Sequence, residues 1–439
     1  MSVSKAKTMR LIIALKCHPV LSLLRISNQS IMNSFRTLII SLALPSLLVL
    51  GCTKKSDNNE PVSSVPVGKA RDLGAASESF GMRLLGRMAA SNPNENTLIS
   101  PWSIQSALLM AANGGNGLTQ SQTLDALGLS SFSMDSINKM NLWLQNGLLA
   151  AQGANLNSVN AVFVDPQRMA VKASFESHLN QYFNASFHNE VFSDPNAKTR
   201  INQWVKQNTQ NKIDKIIEGI NPDDLAFLIN ALYFKANWER GLPAEMIQTR
   251  DFSNADGTQK PVTFVFDDYE YQFNQSPDWS LVEIPFEDGE FVMTIMMPTQ
   301  NGNLINALQQ LDSVGYHQLI NNAQKGRIIL GFPKMELDFS DDIIPSLKAL
   351  GMLVPFDAGS ADFSEMGQSL IGPGIYISQV RHAAVLKIDE KGAEGAAVTS
   401  VGMATTSMPP SFVFDKPFVL FIRHKATDTQ LFAAYVSKF

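Results

Sequence analysis

Apolar positions along the chain follow two rhythms, with one stretch that obeys neither. From Lys69 to Ala90, Phe80, Leu84, Leu85 and Met88 recur every three or four residues, the period of an amphipathic helix. Ala197 to Ile217 repeats that period with Ile201, Trp204, Val205 and Ile213, which predicts a second long helix. Ala107 to Leu129 is helical in pattern but broken by Gly114, Gly115 and Gly117. Elsewhere the apolar residues run together. Asn160 to Val164 reads as a buried strand, and Phe227 to Trp238 (FLINALYFKANW) is nearly continuous, as for a strand covered on both faces. Val282 to Phe286 and Phe291 to Pro298 flank a turn containing Gly289, which predicts a hairpin. No internal repeat and no second domain boundary is visible, so the pattern predicts one large α+β domain over residues 69–439.

The stretch from Asp389 to Pro410 is the exception. Glu394 is the only charge between Gly392 and Asp415, and no proline occurs from Gly392 to Met408 before two arrive at Pro409 and Pro410. Exposed loops of this length carry turn residues, charges and prolines. Proline is excluded from the middle of a sheet because it has no N–H to donate, and alternate strand side chains face one side. Ala393, Gly395, Ala397, Thr399, Val401 and Met403 share one parity and are small or apolar, while Glu394 lies on the other. The segment reads as a spare strand, or else as a flexible linker rich in Ala, Ser and Thr.

Composition narrows the class. The chain has 439 residues, 45% hydrophobic and 17% charged, which fits a folded globular protein. Its formal charge of −5 hides an asymmetry. Residues 1–51 carry six basic and no acidic side chains, leaving 29 basic against 40 acidic beyond them. A body that acidic is a poor nucleic-acid binder, and no nucleic-acid partner is expected. Cys17 and Cys52 are the only cysteines and support no disulfide framework.

Met32 to Gly51, with Arg36 near its start and an apolar run from Leu38 to Leu50, reads as a secretory signal too short for a stable transmembrane helix. Residues 1–31 hold a second basic and apolar stretch, but Met32 alone opens a complete signal, so Met32 is the expected start, an upstream start being the other reading. Val49-Leu50-Gly51-Cys52 resembles a bacterial lipobox, whose cysteine is lipidated; a plain signal peptide with an incidental Cys52 is the other reading. The polar run Thr53 to Pro66 suits a tether. The expected division is a leader over 1–51, a tether over 52–68 and the domain after it. Such a protein would sit outside the cytoplasm, anchored through Cys52 to a bacterial membrane, at the outer membrane or cell surface.

Several segments together resemble the serpins. The hinge Glu390, Gly392, Glu394, Ala396 and Ala397 matches E-x-G-x-E-x-A-A, and Asn96-Thr97-Leu98-Ile99-Ser100-Pro101-Trp102-Ser103-Ile104 resembles N-x-x-I-S-P-x-S-I. Phe227 to Trp238, the Ile201 to Val205 wording, and Asp415-Lys416-Pro417-Phe418 are similar to further family segments. The resemblance covers almost all of the domain and implies three β-sheets, about eight to nine helices and an exposed reactive-centre loop. It implies that Ser100, Ser103, Asn230, His382 and Trp238 lie where the central sheet opens, and that Lys334 pairs with Glu390 at the start of the loop. Taken alone, Ser100-Pro101 is an ordinary helix start and His382 an ordinary buried strand histidine.

No G-x-S-x-G elbow, H-E-x-x-H helix, P-loop or G-x-G-x-x-G motif is present, so no catalyst, metal or cofactor is expected. The resemblance implies instead a monomeric suicide inhibitor that forms a covalent acyl complex with a serine protease and inserts its cut loop into the central sheet. The family's usual spacings, sixteen residues on from Glu390 and eleven back from Pro417, both meet at Thr406, so the resemblance implies a reactive bond between Thr406 and Ser407; Met403, Ala404 or Thr405 could offer a second bond. No Arg or Lys lies between Lys391 and Lys416, and Thr406 is small, so elastase-like or subtilisin-like targets are expected. Ala393 stands where the family usually has Thr or Ser, and Gly395 where it has Ala. Both are small enough to insert, although glycine weakens a strand. A non-inhibitory binding protein of the same family is the alternative.

Overall fold

Side-chain caps from serine, asparagine or aspartate begin several of the helices. The computed structural model describes residues 67–211, 215–299, 302–372, 374–393 and 409–439, all within the unit Glu60–Phe439. Helix α1 (Val67–Ser91) leads to strand β1 (Thr97–Ile99), then to α2 (Pro101–Gly114), α3 (Gly117–Leu127) and α4 (Met134–Ala150). Ser100, Asn116 and Ser133 cap α2, α3 and α4 with their side chains, and Pro101 occupies the first turn of α2, where its missing N–H costs nothing. Next come β2 (Ala154–Val164), β3 (Met169–Val171), α5 (Ala173–Phe183), β4 (Ala185–Asn189), α6 (Ala197–Asn208) and β5 (Ala226–Asn237). A strand-rich middle follows: β6 (Ile247–Ser253), β7 (Gln259–Gln275), β8 (Trp279–Pro285) and β9 (Phe291–Pro298), the last two forming the expected hairpin. Then come α7 (Leu304–Gln310), α8 (Ser313–Asn321), β10 (Gln324–Pro333), β11 (Met335–Asp342), α9 (Ile344–Ala349) and β12 (Gly367–Ser369). The chain closes with β13 (Arg381–Ile388), β14 (Gly392–Ala393), β15 (Ser411–Val413), β16 (Phe418–His424) and β17 (Thr429–Val436). Glu394, Gly395, Ala396, Ala397, Thr406, Ser407 and Cys52 lie outside the described residues.

Two sequence expectations are corrected. The second long helix stops at Asn208 instead of Ile217, because Gln210 and Asn211 take left-handed backbone angles (φ 51° and 62°) that a helix cannot continue through. The chain then doubles back, and Ile216 and Ile217 give their N–H groups to Asn202 Oδ1, each at 2.9 Å. Strand β5 is not covered equally on both faces: buried and half-buried positions alternate along it. One face meets α6 through Ile201 and Val205, which pack with Phe227, Ile229 and Ala231 in a core separate from the main one.

The strands form four hydrogen-bonded groups. Nine of them build one sheet, ordered β1-β17-β16-β9-β8-β7-β10-β15 with β6 beside β7. Its β16 and β17 are buried at every position and supply the centre of the main core. A second group runs β14-β5-β2-β4, a third is the pair β11-β13, and the last is the short ladder β12-β3. Among the described residues no ladder joins the second to the third, while Ala383 and Val385 of β13 pack against the core that includes Ile229 and Ala231 of β5.

Candidate functional site

Strand β13 runs directly into the unusual stretch, and the first residues of that stretch are tied down. Asp389, Glu390 and Lys391 offer three successive carbonyls, and the segment after β5 holds all three. Trp238 Nε1 donates to Asp389 O (2.9 Å), Leu242 N to Glu390 O (3.1 Å) and Trp238 N to Lys391 O (3.1 Å). Trp238 is itself pinned, stacked on Phe286 with ring centroids 4.6 Å apart. Lys334, between β10 and β11, reaches Glu390 Oε2 at 2.6 Å. Burial alone would raise the Glu390 pKa, but the hydrogen bond and charge of Lys334 hold it below the usual carboxylate range.

Gly392 then turns with φ of 134° and settles against β5. A Cβ at this position would lie 2.3 Å from Ala236 O and 2.8 Å from Asn237 Cα, so only glycine fits. Ala393, 2% exposed, completes β14, which pairs antiparallel with Ala236 and Asn237. Asp389 bridges to Gly392 on the other side. The spare strand therefore begins inside the sheet.

Below β14 the described strands β5 and β13 leave a slot between them. Among the described residues no ladder joins β5 to β13. A cavity of about 430 Å³ lies at the lower end of this slot, lined by Ser103, Leu108, Asn230, Tyr376 and His382 among others. A polar chain crosses beneath it. His382 Nε2 accepts the Ser100 N–H at 3.0 Å, and Ser100 Oγ accepts the Ser103 N–H at 3.4 Å. Ser103 Oγ donates to Asn230 Oδ1, and Asn230 Nδ2 donates to Ser158 Oγ (3.2 Å) and Asn160 Oδ1 (2.9 Å). Asn160 Nδ2 ends the chain on Phe183 O at 2.8 Å. His382 is buried, which pushes its pKa down to about 4, and an imidazole accepting at Nε2 is neutral. Through α2 the network links the two edges of the slot, β13 and β5.

The residues singled out in the sequence thus gather in two places. Lys334, Trp238, Glu390, Gly392 and Ala393 clamp the top of the slot, and Ser100, Ser103, Asn230 and His382 tie its floor. Sequence reasoning missed Ser158 and Asn160. Their signal was two polar residues at alternate positions just before the apolar run Ala161 to Val164. The site offers no nucleophile paired with a base, and among the described residues no group of three or more His, Cys, Asp or Glu is placed to hold a metal ion. What it can do is accept a strand. A segment growing downward from Ala393 would meet one open edge on β5 and another on β13.

Comparison with known proteins agrees with this geometry. A family profile described as "Serpin (serine protease inhibitor)" matches residues 75–439. Iripin-2 of Ixodes ricinus is 29% identical over 377 residues, covering 83% of this chain and 93% of its own. The leukocyte elastase inhibitor of Xenopus tropicalis is 28% identical over 372 residues, covering 82% and 98%. Among solved structures, the native state of the thermophilic serpin tengpin superposes with a TM-score of 0.77 at 27% identity, over 84% of this chain and 94% of that one.

Proposed function

Since the chain belongs to the serpin family of serine protease inhibitors, we propose that it traps its target by surrendering its own loop. The protease's serine oxygen attacks the carbonyl carbon of Thr406. The bond to the Ser407 nitrogen breaks, that nitrogen takes the proton, and an acyl-enzyme ester remains on Thr406. The freed segment after Ala393 then extends β14 down the slot and carries the tethered protease with it, distorting the protease before water can hydrolyse the ester. Each new ladder bond contributes roughly 0.5–1.5 kcal/mol, so about a dozen residues supply a large drive. The observation that carries this reading is that Gly392 and Ala393 pair with the end of β5, and that among the described residues no ladder joins β5 to β13.

A small residue at the cut suits a shallow primary pocket, which favours elastase-like or subtilisin-like proteases; a relative of this chain is a leukocyte elastase inhibitor. The signal-like run before Cys52 and the polar segment after it support a lipid anchor on Cys52 and a place outside the cytoplasm, at the outer membrane or cell surface of a bacterium. Incubation with a panel of serine proteases tests the trapping reaction. A complex stable on denaturing gels and a released fragment beginning at Ser407 are expected. Cleavage with every protease left active would overturn it in favour of a binding protein of the same family.

A further inference from the structure

Helix α8 sits lightly on the body. Tyr316 is its only fully buried side chain, and its Oη donates to Thr294 Oγ1 at 3.0 Å. Leu319 and Ile320 are half-buried, Asn274 Nδ2 of β7 donates to Leu319 O at 2.7 Å, and Val314 is exposed. The remaining tie is an ion pair. His317 Nε2 stands 2.9 Å from Glu78 Oε1 of α1. The two partners differ in access to water: the His317 side chain is 28% exposed, whereas Glu78 is fully buried. Among the described residues neither carboxylate oxygen of Glu78 meets another donor.

Charge decides what this pair must do. The groups that face it are Arg423 of β16 and Asp428 of the turn into β17. Arg423 is engaged with Glu283 of β8 at 2.7 Å and with Asp428 at 3.5 Å, and Asp428 also with Arg71 of α1 at 2.8 Å. Behind them, burial keeps Tyr316 protonated and favours the neutral form of His424. Glu78, Glu283 and Asp428 are therefore balanced by Arg71, Arg423 and His317 only while His317 carries a proton. Without it Glu78 is a buried carboxylate with Arg423 already taken, a state relieved only by a proton or by water. Contact with Glu78 holds His317 above its ordinary 6.5, and burial raises Glu78 above its own ordinary value. The folded pair thus keeps a proton that the unfolded chain has released. The His317 contribution to stability is complete below pH 6.5 and is lost as pH rises through its raised folded value, and Glu78 adds in the same sense from pH 4.5 upward.

We propose that α8 is a flap held on α1 by the proton that Glu78 and His317 share, and that alkaline pH releases it. His317 reaches solvent and can lose that proton without global unfolding; the stranded carboxylate then draws water between the two helices. Helix α8 leads into β10, which pairs with β15, so its release also frees the first residues of the strand on which the loop's second end is anchored. The flap needs no protease and stands apart from the trapping reaction. Hydrogen exchange of the full chain between pH 7 and pH 9 reads α8 against α2. Once the hydroxide dependence of exchange is removed, α8 amides should open about tenfold more often at pH 9, the factor that one pKa unit of linkage supplies, while α2 stays constant. Glu78→Gln keeps a polar partner that cannot ionise; it should hold α8 exchange level over that range and lower the His317 titration midpoint read from its ring proton by NMR. Should that variant not fold, the two wild-type readings decide alone. Exchange in α8 that follows α2 across the range overturns the flap, as does a wild-type His317 midpoint at or below 6.5. A Glu78→Gln chain that keeps the wild-type rise overturns it too.

Discussion

His382 must stay uncharged for the floor of the slot to hold. Its folded pKa of about 4 lies below its ordinary value of 6.5, so the unfolded chain takes up a proton first as pH falls. The stabilisation is therefore complete above pH 6.5 and is lost on acidification toward pH 4. The loss amounts to at most about 3 kcal/mol. Thermal midpoints measured from pH 7.5 down to pH 4.5 should fall, and His382→Gln should flatten that slope because its amide oxygen can accept from Ser100 N without titrating. An unchanged slope would mean that the acid sensitivity lies elsewhere. Glu390, also held below the usual carboxylate range, loses its contribution in the same direction but at lower pH, so the early part of the descent should report His382.

Helix α1 buries a second face besides the one its apolar spacing marks. Phe80, Leu84 and Leu85 are fully buried, as their spacing predicts. Yet Gly74, Ser77, Glu78 and Gly81 form a second stripe at the same period, and Ser77 and Glu78 are also fully buried. A Cβ on Gly74 would lie 1.9 Å from Thr427 O, and one on Gly81 would lie 2.4 Å from Pro101 Cγ. Close approach presses Glu78 against His317 of α8, 2.9 Å away, near the Arg423 ion pairs with Glu283 and Asp428. Burial raises the Glu78 pKa, and His317 opposes that rise. Glycine inside a helix ordinarily costs about 1 kcal/mol relative to alanine. Here the sign should reverse: Gly74→Ala or Gly81→Ala should destabilise by about 1–3 kcal/mol through overpacking. Gly86, whose Cβ would meet nothing nearer than 3.7 Å, is the internal control, and Gly86→Ala should raise the thermal midpoint slightly. Equal shifts at all three positions would rule out close packing as the reason for the glycines.

At the scale of the whole molecule, the proposed mechanism turns on the space between two strands. Among the described residues strands β5 and β13 have no ladder between them, and Gly392 and Ala393 pair with the end of β5. Cutting the loop between Thr406 and Ser407 releases the segment after Ala393 from its second anchor at β15. In the proposed mechanism the cut chain should then melt well above the intact one, because both open edges gain a partner. Scanning calorimetry before and after limited cleavage checks this. An unchanged midpoint would show that the gap is not a place for the loop.

Sequence alone determined the class of fold and the character of the loop. Periodicity located α1, β2, β5 and the β8–β9 hairpin because those elements bury one face or both, and burial is written in local composition. The absence of proline from Gly392 to Met408 suits a strand for the same local reason. Tertiary structure decided what no local pattern encodes. It ended α6 at Asn208, where two left-handed residues turn the chain back, and it brought Ser158 and Asn160 into the floor of the slot from a strand whose register depends on its neighbours. It also made Gly392 indispensable, since the steric limit there is the backbone of Ala236 and Asn237, more than 150 residues earlier in the chain. Contacts between distant segments carry no periodic signature, so the gap itself became visible only once β5 and β13 stood side by side.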